Sequence, residues 1–228
     1  MSTTLPPILL FPWGRAQTPA PAPPVQPPPG PSALALVIDV SNYSGRISDA
    51  QVEAMIAAGV AGVIVRVDTA DPGRIAIMQQ QLAVLRSHGV PVGGYVFPDY
   101  EQRPADFLAT LFSLTGRLGS LWVDLEPVGD ALPCTFAVFR WWMSQAALYC
   151  PAGTALGIYT AAWVVQLFGA KWQPLPFPLW AASYGGRPAS LAVNFGGWAY
   201  AGGIQFSDAG DMAGVSCDLS AFDPAILT

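Results

Sequence analysis

The sequence predicts an α/β fold built as a closed, TIM-like barrel, and three observations carry that expectation. From residue 34 onward, short apolar runs alternate with helical stretches, the pattern of a parallel sheet with helical crossovers. Seven or eight such runs within roughly 200 residues favour a closed barrel over an open doubly wound sheet. The final third has too few residues between its runs for full helices, so the barrel is expected to be regular at first and degenerate at its end.

Residues 34–40 (LALVIDV) form the first strand by length and content. Residues 48–58 form a helix, with Ser48 as N-cap and Gly59 as the stop. A strand at 62–67 leads to a helix at 75–87 that closes at His88 and Gly89. A strand at 92–97, a helix at 105–115 and a strand at 121–125 follow. The helix 135–149 precedes a strand at 155–159 and a helix near 162–168. Short strands near 179–182, 203–206 and 216–219 complete the set, and residues 34–228 are read as one barrel domain.

Residues 1–33 stand apart as an N-terminal arm. Eleven of the 23 prolines lie there, and residues 18–31 read TPAPAPPVQPPPGP. Such a segment is expected to be extended polyproline II, reaching roughly 45 Å over about fifteen residues. A disordered linker is the alternative. The apolar tip, residues 5–13, is the expected anchor to a partner.

Composition narrows the function. Charged residues are only 11% of the chain, against roughly a quarter in ordinary soluble proteins. Hydrophobic residues reach 52%, with eight tryptophans. Two explanations stand side by side: an exterior covered by subunits or a larger assembly, or the amino-acid bias of a GC-rich genome. The net charge of −5 argues against nucleic acid. No apolar run approaches the roughly 20 residues of a membrane span. Pro6, Pro7 and Pro12 interrupt the only apolar stretch at the N-terminus, so no signal peptide is expected. Cys134, Cys150 and Cys217 lack metal-ligand spacing and His88 is the only histidine, so neither a disulfide framework nor a zinc site is expected.

Catalytic side chains of such barrels sit at the C-terminal ends of strands, and three predicted strands carry acids there. Asp39 ends the first, Asp124 and Glu126 end the fourth, and Asp218 lies in the last. Side chains at i and i+2 share a face, which puts Asp124 beside Glu126. First and last strands of a closed barrel are neighbours, which brings Asp39 near Asp218. Crowded and partly buried, at least one of the four is expected to stay protonated near neutral pH. Glycoside hydrolysis needs that combination of a carboxylic acid and a carboxylate. Tyr43, Tyr95, Phe97, Trp122, Tyr159, Trp180 and Tyr184 lie near the strand ends and are candidates to stack on sugar rings.

Plainer readings exist for each. Asp39 before Val-Ser-Asn reads equally as a turn or cap residue, Asp-x-Glu before Pro127 as a solvated loop, and the aromatics as core. Asp68, Asp71, Asp99, Asp208 and Asp211 are read as turn residues in Gly/Pro-rich loops, and His88 as a helix C-terminal residue. No Gly-x-Ser-x-Gly elbow or phosphate loop is present.

Taken in order, the segments resemble the glycoside hydrolase family 25 lysozymes, the Chalaropsis-type muramidases. Residues 38–45 (IDVSNYSG) are similar to that family's opening, 58–66 (AGVAGVIVR) to its second strand and 88–97 (HGVPVGGYVF) to its third. Residues 122–126 (WVDLE) carry its Asp-x-Glu signature, 157–163 (GIYTAAW) its fifth strand, and 179–184 and 204–221 its closing segments. The resemblance implies a (β/α)5β3 barrel that cleaves the β-1,4 bond between N-acetylmuramic acid and N-acetylglucosamine in peptidoglycan. It implies Glu126 as general acid, with Asp124 as its close partner, stabilising charge or orienting the substrate's N-acetyl group. Asp39 and Asp218 become supporting acids, and Tyr95 and Tyr159 match groove-lining aromatics. Departures include Val96 where the family often has His and Ser220 where it has Asn, an exchange expected to weaken the last strand's loop.

The leading expectation is therefore a peptidoglycan hydrolase without cofactor or metal. The missing signal peptide and wall-binding module fit a bacteriophage protein, carried on the virion through the Pro-rich arm and acting at the host periplasm or cell wall. The competing expectation is a structural virion component that keeps the barrel but only binds glycan or is inactive.

Overall fold

The computed structural model describes residues 33–129 and 131–227. Apart from Ala33, the Pro-rich arm lies outside the described residues. Five strand–helix units come first: β1 (Ala35–Val40), α1 (Asp49–Ala57), β2 (Val60–Arg66), α2 (Pro72–Ser87), β3 (Val92–Val96), α3 (Pro104–Thr115), β4 (Ser120–Asp124), α4 (Phe136–Tyr149), β5 (Ala155–Ala161) and α5 (Ala162–Phe168). Next come β6 (Leu179–Ala182), a separate hairpin of β7 (Ala192–Phe195) and β8 (Trp198–Tyr200), then β9 (Gly203–Met212) and β10 (Val215–Phe222). The barrel closes in the order β1-β10-β9-β6-β5-β4-β3-β2. Strands β1 to β6 run parallel, β9 joins parallel to β6, and β10 returns antiparallel between β9 and β1. This is the (β/α)5β3 architecture. No helix among the described residues is long and apolar enough to cross a membrane.

Alternation along β4 shows how the barrel is filled. Leu121 and Val123 face outward into the core beneath the helices, whereas Ser120, Trp122 and Asp124 face the barrel axis. Val37, Ile64, Trp122, Tyr159, Trp180 and Phe222 build the interior cluster, and Ile226 and Leu227 pack against it. The aromatic rings meet edge to face, with Trp122 5.9 Å from Trp180 and 5.6 Å from Phe222. Each such pair is worth about 0.5–1.5 kcal/mol beyond its buried area. An indole N–H inside a barrel needs a partner, and serines supply both: Trp122 Nε1 donates to Ser120 Oγ (3.0 Å) and Trp180 Nε1 to Ser220 Oγ (3.1 Å). Ser220 is thus a buried strand residue holding Trp180, rather than a weakened support of a loop.

Three local features differ from the sequence expectation. Helix α2 begins at Pro72, ahead of the expected start at Ile75, because Asp71 Oδ1 accepts from the backbone N–H of Gly73 and Arg74 while Pro72 occupies the first turn. The β7–β8 hairpin is an addition to the expected strands, although Gly196 and Gly197 both take positive φ (63° and 91°), as a two-residue hairpin turn requires. Strands β9 and β10 are longer than expected and join through Ala213 and Gly214, at φ 58° and 76°. Asp208 and Asp211 consequently lie on β9, not in a loop.

Room for the large rings comes from glycine. A methyl group on Gly157 would overlap Trp122, and one on Gly203 would overlap Phe222. Gly157→Ala is expected to cost about 1–3 kcal/mol, lowering Tm by about 2–4 °C per kcal/mol. A calorimetric scan checks this, and an unchanged Tm would contradict the packing described.

Candidate active site

The same alternation that seats the aromatic cluster carries polar residues to the barrel mouth, one step further along each strand. Beyond Val37 comes Asp39, beyond Ile64 Arg66, beyond Trp122 Asp124, and beyond Gly203 Gln205. Glu126 lies two residues past Asp124, just outside β4. Asp39 faces Asp218 directly across the antiparallel β1–β10 pair. All four sequence-predicted acids therefore belong to one end of the barrel, where the parallel strands finish.

Asp39 and Asp124 are buried, at 6% and 4% exposure, and Glu126 and Asp218 are partly buried. Removal from water disfavours the charged form, and neighbouring acids add to it. Burial, then the charge of Asp218, pushes Asp39 well above the ordinary carboxylate range, with the Gln205 amide opposing. Burial, then Glu126, does the same to Asp124, with Arg66 opposing. Glu126 is raised by burial and by Asp218. Asp218 is raised by burial and by Asp208, while its hydrogen bond with Asp39 works the other way. A hydrogen bond between two carboxyl groups needs a proton, so Asp39 and Asp218 titrate as a pair that shares it. Among the described residues, Asp124 Oδ1 is buried without a hydrogen-bond partner.

Gln205 joins the acids to two tyrosines. Its Nε2 donates to Asp39 Oδ2 and Asp218 Oδ2 (3.1 Å each), and its Oε1 accepts from Tyr159 Oη (2.7 Å) and Tyr184 Oη (3.0 Å). A cavity of about 290 Å³ opens beside these groups, lined by Asp39, Ser41, Tyr43, Arg66, Tyr95 and Asp218. A second, of about 300 Å³, shares Arg66 with the first and includes Asp68, Arg74, Phe97 and Gln102 in its walls. The Arg66 guanidinium sits 5.1 Å above the Phe97 ring.

The aromatic candidates divide. Tyr43 (81% exposed) and Tyr184 (54%) stand at the rim with ring surface open to a ligand, and Tyr95 lines the first cavity. Trp180, at 1% exposure, is interior packing and has no face for a sugar, which corrects its predicted role. Tyr159 is corrected likewise: its ring lies 4.5 Å from Trp180, and only its hydroxyl takes part in the polar network. Asp68 and Asp99 are turn residues, accepting from backbone N–H groups two residues ahead. His88 caps α2 at its C-terminus and pairs with Asp49. Arg66 and Gln205 are site residues that the sequence reading misses. Arg66 closes β2 as Asp124 closes β4, the signal by which it was open to recognition; an amide inside a strand gives none.

The family model for glycosyl hydrolases family 25 matches residues 38–215. Among solved structures, the chain is similar to a family 25 lysozyme from Aspergillus fumigatus (16% identity, TM-score 0.68, covering 85% of this chain and 99% of that one). It is similar to the lysozyme of Streptomyces coelicolor (20%, 0.64, 86% and 98%). It also resembles the catalytic domain of an endolysin from a bacteriophage of Listeria monocytogenes (17%, 0.61, 85% and 95%). No curated protein sequence matches the chain.

A carboxyl held protonated by the fold lowers stability as pH rises, since the folded form keeps a proton that the unfolded form releases above about pH 4. Asn imitates a protonated Asp. Asp39→Asn is therefore expected to melt higher than wild type at pH 8, with the difference shrinking towards pH 4. Melting curves across that range check the sign, and a gap independent of pH would refute it.

Proposed function

Because the chain belongs to glycosyl hydrolases family 25 and is thus a glycoside hydrolase, we propose that it hydrolyses the β-1,4 bond between N-acetylmuramic acid and N-acetylglucosamine in peptidoglycan. The observation that carries this reading is the Asp124–Glu126 pair, raised in pKa by burial and by neighbouring carboxylate charge at the open end of the barrel. Solved relatives of the same fold are named lysozymes and muramidases, including a muramidase from Trichobolus zukalii.

Glu126 is the better general acid. It is the less buried of the pair, so it reaches a ligand, and burial and the charge of Asp218 raise its pKa, which favours the protonated form an acid catalyst needs. It donates that proton to the glycosidic oxygen as the bond to the anomeric carbon breaks. The ring left behind carries oxocarbenium charge, and the nearby carboxylates favour it until water adds to the anomeric carbon, its hydroxyl completing the new reducing end and its released proton passing to a carboxylate of the site. No described residue hydrogen-bonds Asp124 Oδ1, and an unpaired buried acceptor costs about 1–3 kcal/mol. An N-acetyl N–H supplied by substrate removes that cost, which orients the sugar. Tyr43 and Tyr184 offer stacking surface on the rim.

The same reading places the enzyme on a phage virion, tethered through residues 1–33 and acting on the host wall. Its support is compositional: eleven prolines in that segment and charged residues at only 11%. Exposed Trp141, Leu148, Trp163 and Leu167 on the outer helices add to it. A virion component that binds glycan without cutting it is the alternative, and turnover separates the two.

Digestion of purified peptidoglycan, followed by mass spectrometry, tests the reading. Wild type is expected to release fragments ending in reducing N-acetylmuramic acid, and Glu126→Gln to lose about 10²–10⁴-fold in rate. Well-folded wild type that releases no fragments from several wall types would overturn it.

A further inference from the structure

Gln205 is 2% exposed and faces the barrel axis from β9, between Ala182 on β6 and Ser220 on β10. A side-chain amide has two N–H donors and a carbonyl with two lone pairs. All four are used here, two on tyrosine hydroxyls and two on carboxylates. That census fixes the amide's orientation. Turned over, the carbonyl would meet two acceptor oxygens of Asp39 and Asp218 and lose both bonds. The chain of contacts crosses the seam where the barrel departs from regular parallel pairing. It runs from Tyr184 at the rim and Tyr159 on β5, through β9, to Asp39 on β1 and Asp218 on β10.

We infer that Gln205 is a positioning residue for hydrolysis: its amide aims Asp39 and Asp218 at one another and at the cavity, and ties their placement to Tyr184 at the rim. Two hydroxyls donating into the carbonyl polarise the amide, strengthening its N–H donors by about 10–30% per bond. Those donors favour charge on the acid oxygens. Several groups surround the pair: Asp124 and Glu126 at the end of β4, Asp208 on β9, Arg66 on β2, Tyr95 on β3 and, on the same strand as Asp218, Cys217. Of these only Arg66 is cationic, and the amide gives each acid one N–H donor. Tyr184 is half exposed, and a sugar ring resting on it adjusts the same network from outside.

This inference deepens the hydrolase reading and rests on it, so its test keeps the two apart. The variants are Gln205→Leu, Gln205→Glu and the milder Tyr184→Phe, which serves if the core variants fail to fold. With peptidoglycan as substrate, Gln205→Leu and Gln205→Glu are expected to lose at least about tenfold in kcat with little change in KM, since orientation is lost and contact with the glycan is not. The acidic limb of the rate profile is expected to move up by about one pH unit, and Tyr184→Phe to move it the same way by less. Carboxyl carbon-13 titration of Asp39 in the same variants follows the placement without needing turnover, and an upward shift is expected. Folded variants whose rate profile and Asp39 titration both superimpose on wild type would overturn the inference. Wild type that cuts no wall, but whose Asp39 titration shifts in the variants, would count against the hydrolase reading and leave the positioning geometry standing.

Discussion

Eight strands closed around one axis leave an inward side chain no route to water except at the ends of the barrel. That confinement governs both halves of the interior. Below, it favours rings, so Trp122, Trp180 and Phe222 fill the axis and glycines on neighbouring strands make way for them. Above, the next inward position on each strand is polar, because it reaches the mouth. Carboxyl groups placed there stand on an apolar floor and face one another, which is the environment that keeps protons on acids. The chemistry of the site is thus a consequence of strand alternation as much as of the individual residues.

Hydrogen bonding resolves the cost of that crowding. Four acids and one nearby arginine make a poor electrostatic arrangement unless some carboxyls stay neutral and the rest find donors. Asp39 and Asp218 share a proton and take one amide N–H each, while one oxygen of Asp124 has no hydrogen-bond partner among the described residues. The charge of the partly buried Glu126 acts on the same carboxyl. Stability and activity are therefore opposed at this end of the molecule.

Much of this was legible in the sequence. Apolar runs alternating with helical stretches marked the barrel, and the i, i+2 spacing of Asp124 and Glu126 put both on one face. Asp39 and Asp218 met across the closing strands because a barrel must join its ends. What could not be read follows from physics as well. A barrel strand is covered on both faces, by helices outside and rings inside, so its apolar run does not reveal which aromatic points inward. That is why Trp180 and Tyr159 looked like sugar platforms and proved to be packing. Gln205 carried no signal because an amide's role depends on partners from four other segments. Asp71 and the Gly196–Gly197 turn, by contrast, carried local signals of helix start and hairpin.

Whether a glycan is cut at this ring of acids is decided by a crystal structure of Glu126→Gln with a peptidoglycan tetrasaccharide. A glycosidic oxygen is expected within about 2.6–3.2 Å of the residue 126 amide, with an N-acetyl N–H on Asp124. A tetrasaccharide bound elsewhere on the barrel, leaving the cavity beside Asp39 and Asp218 empty, would contradict it.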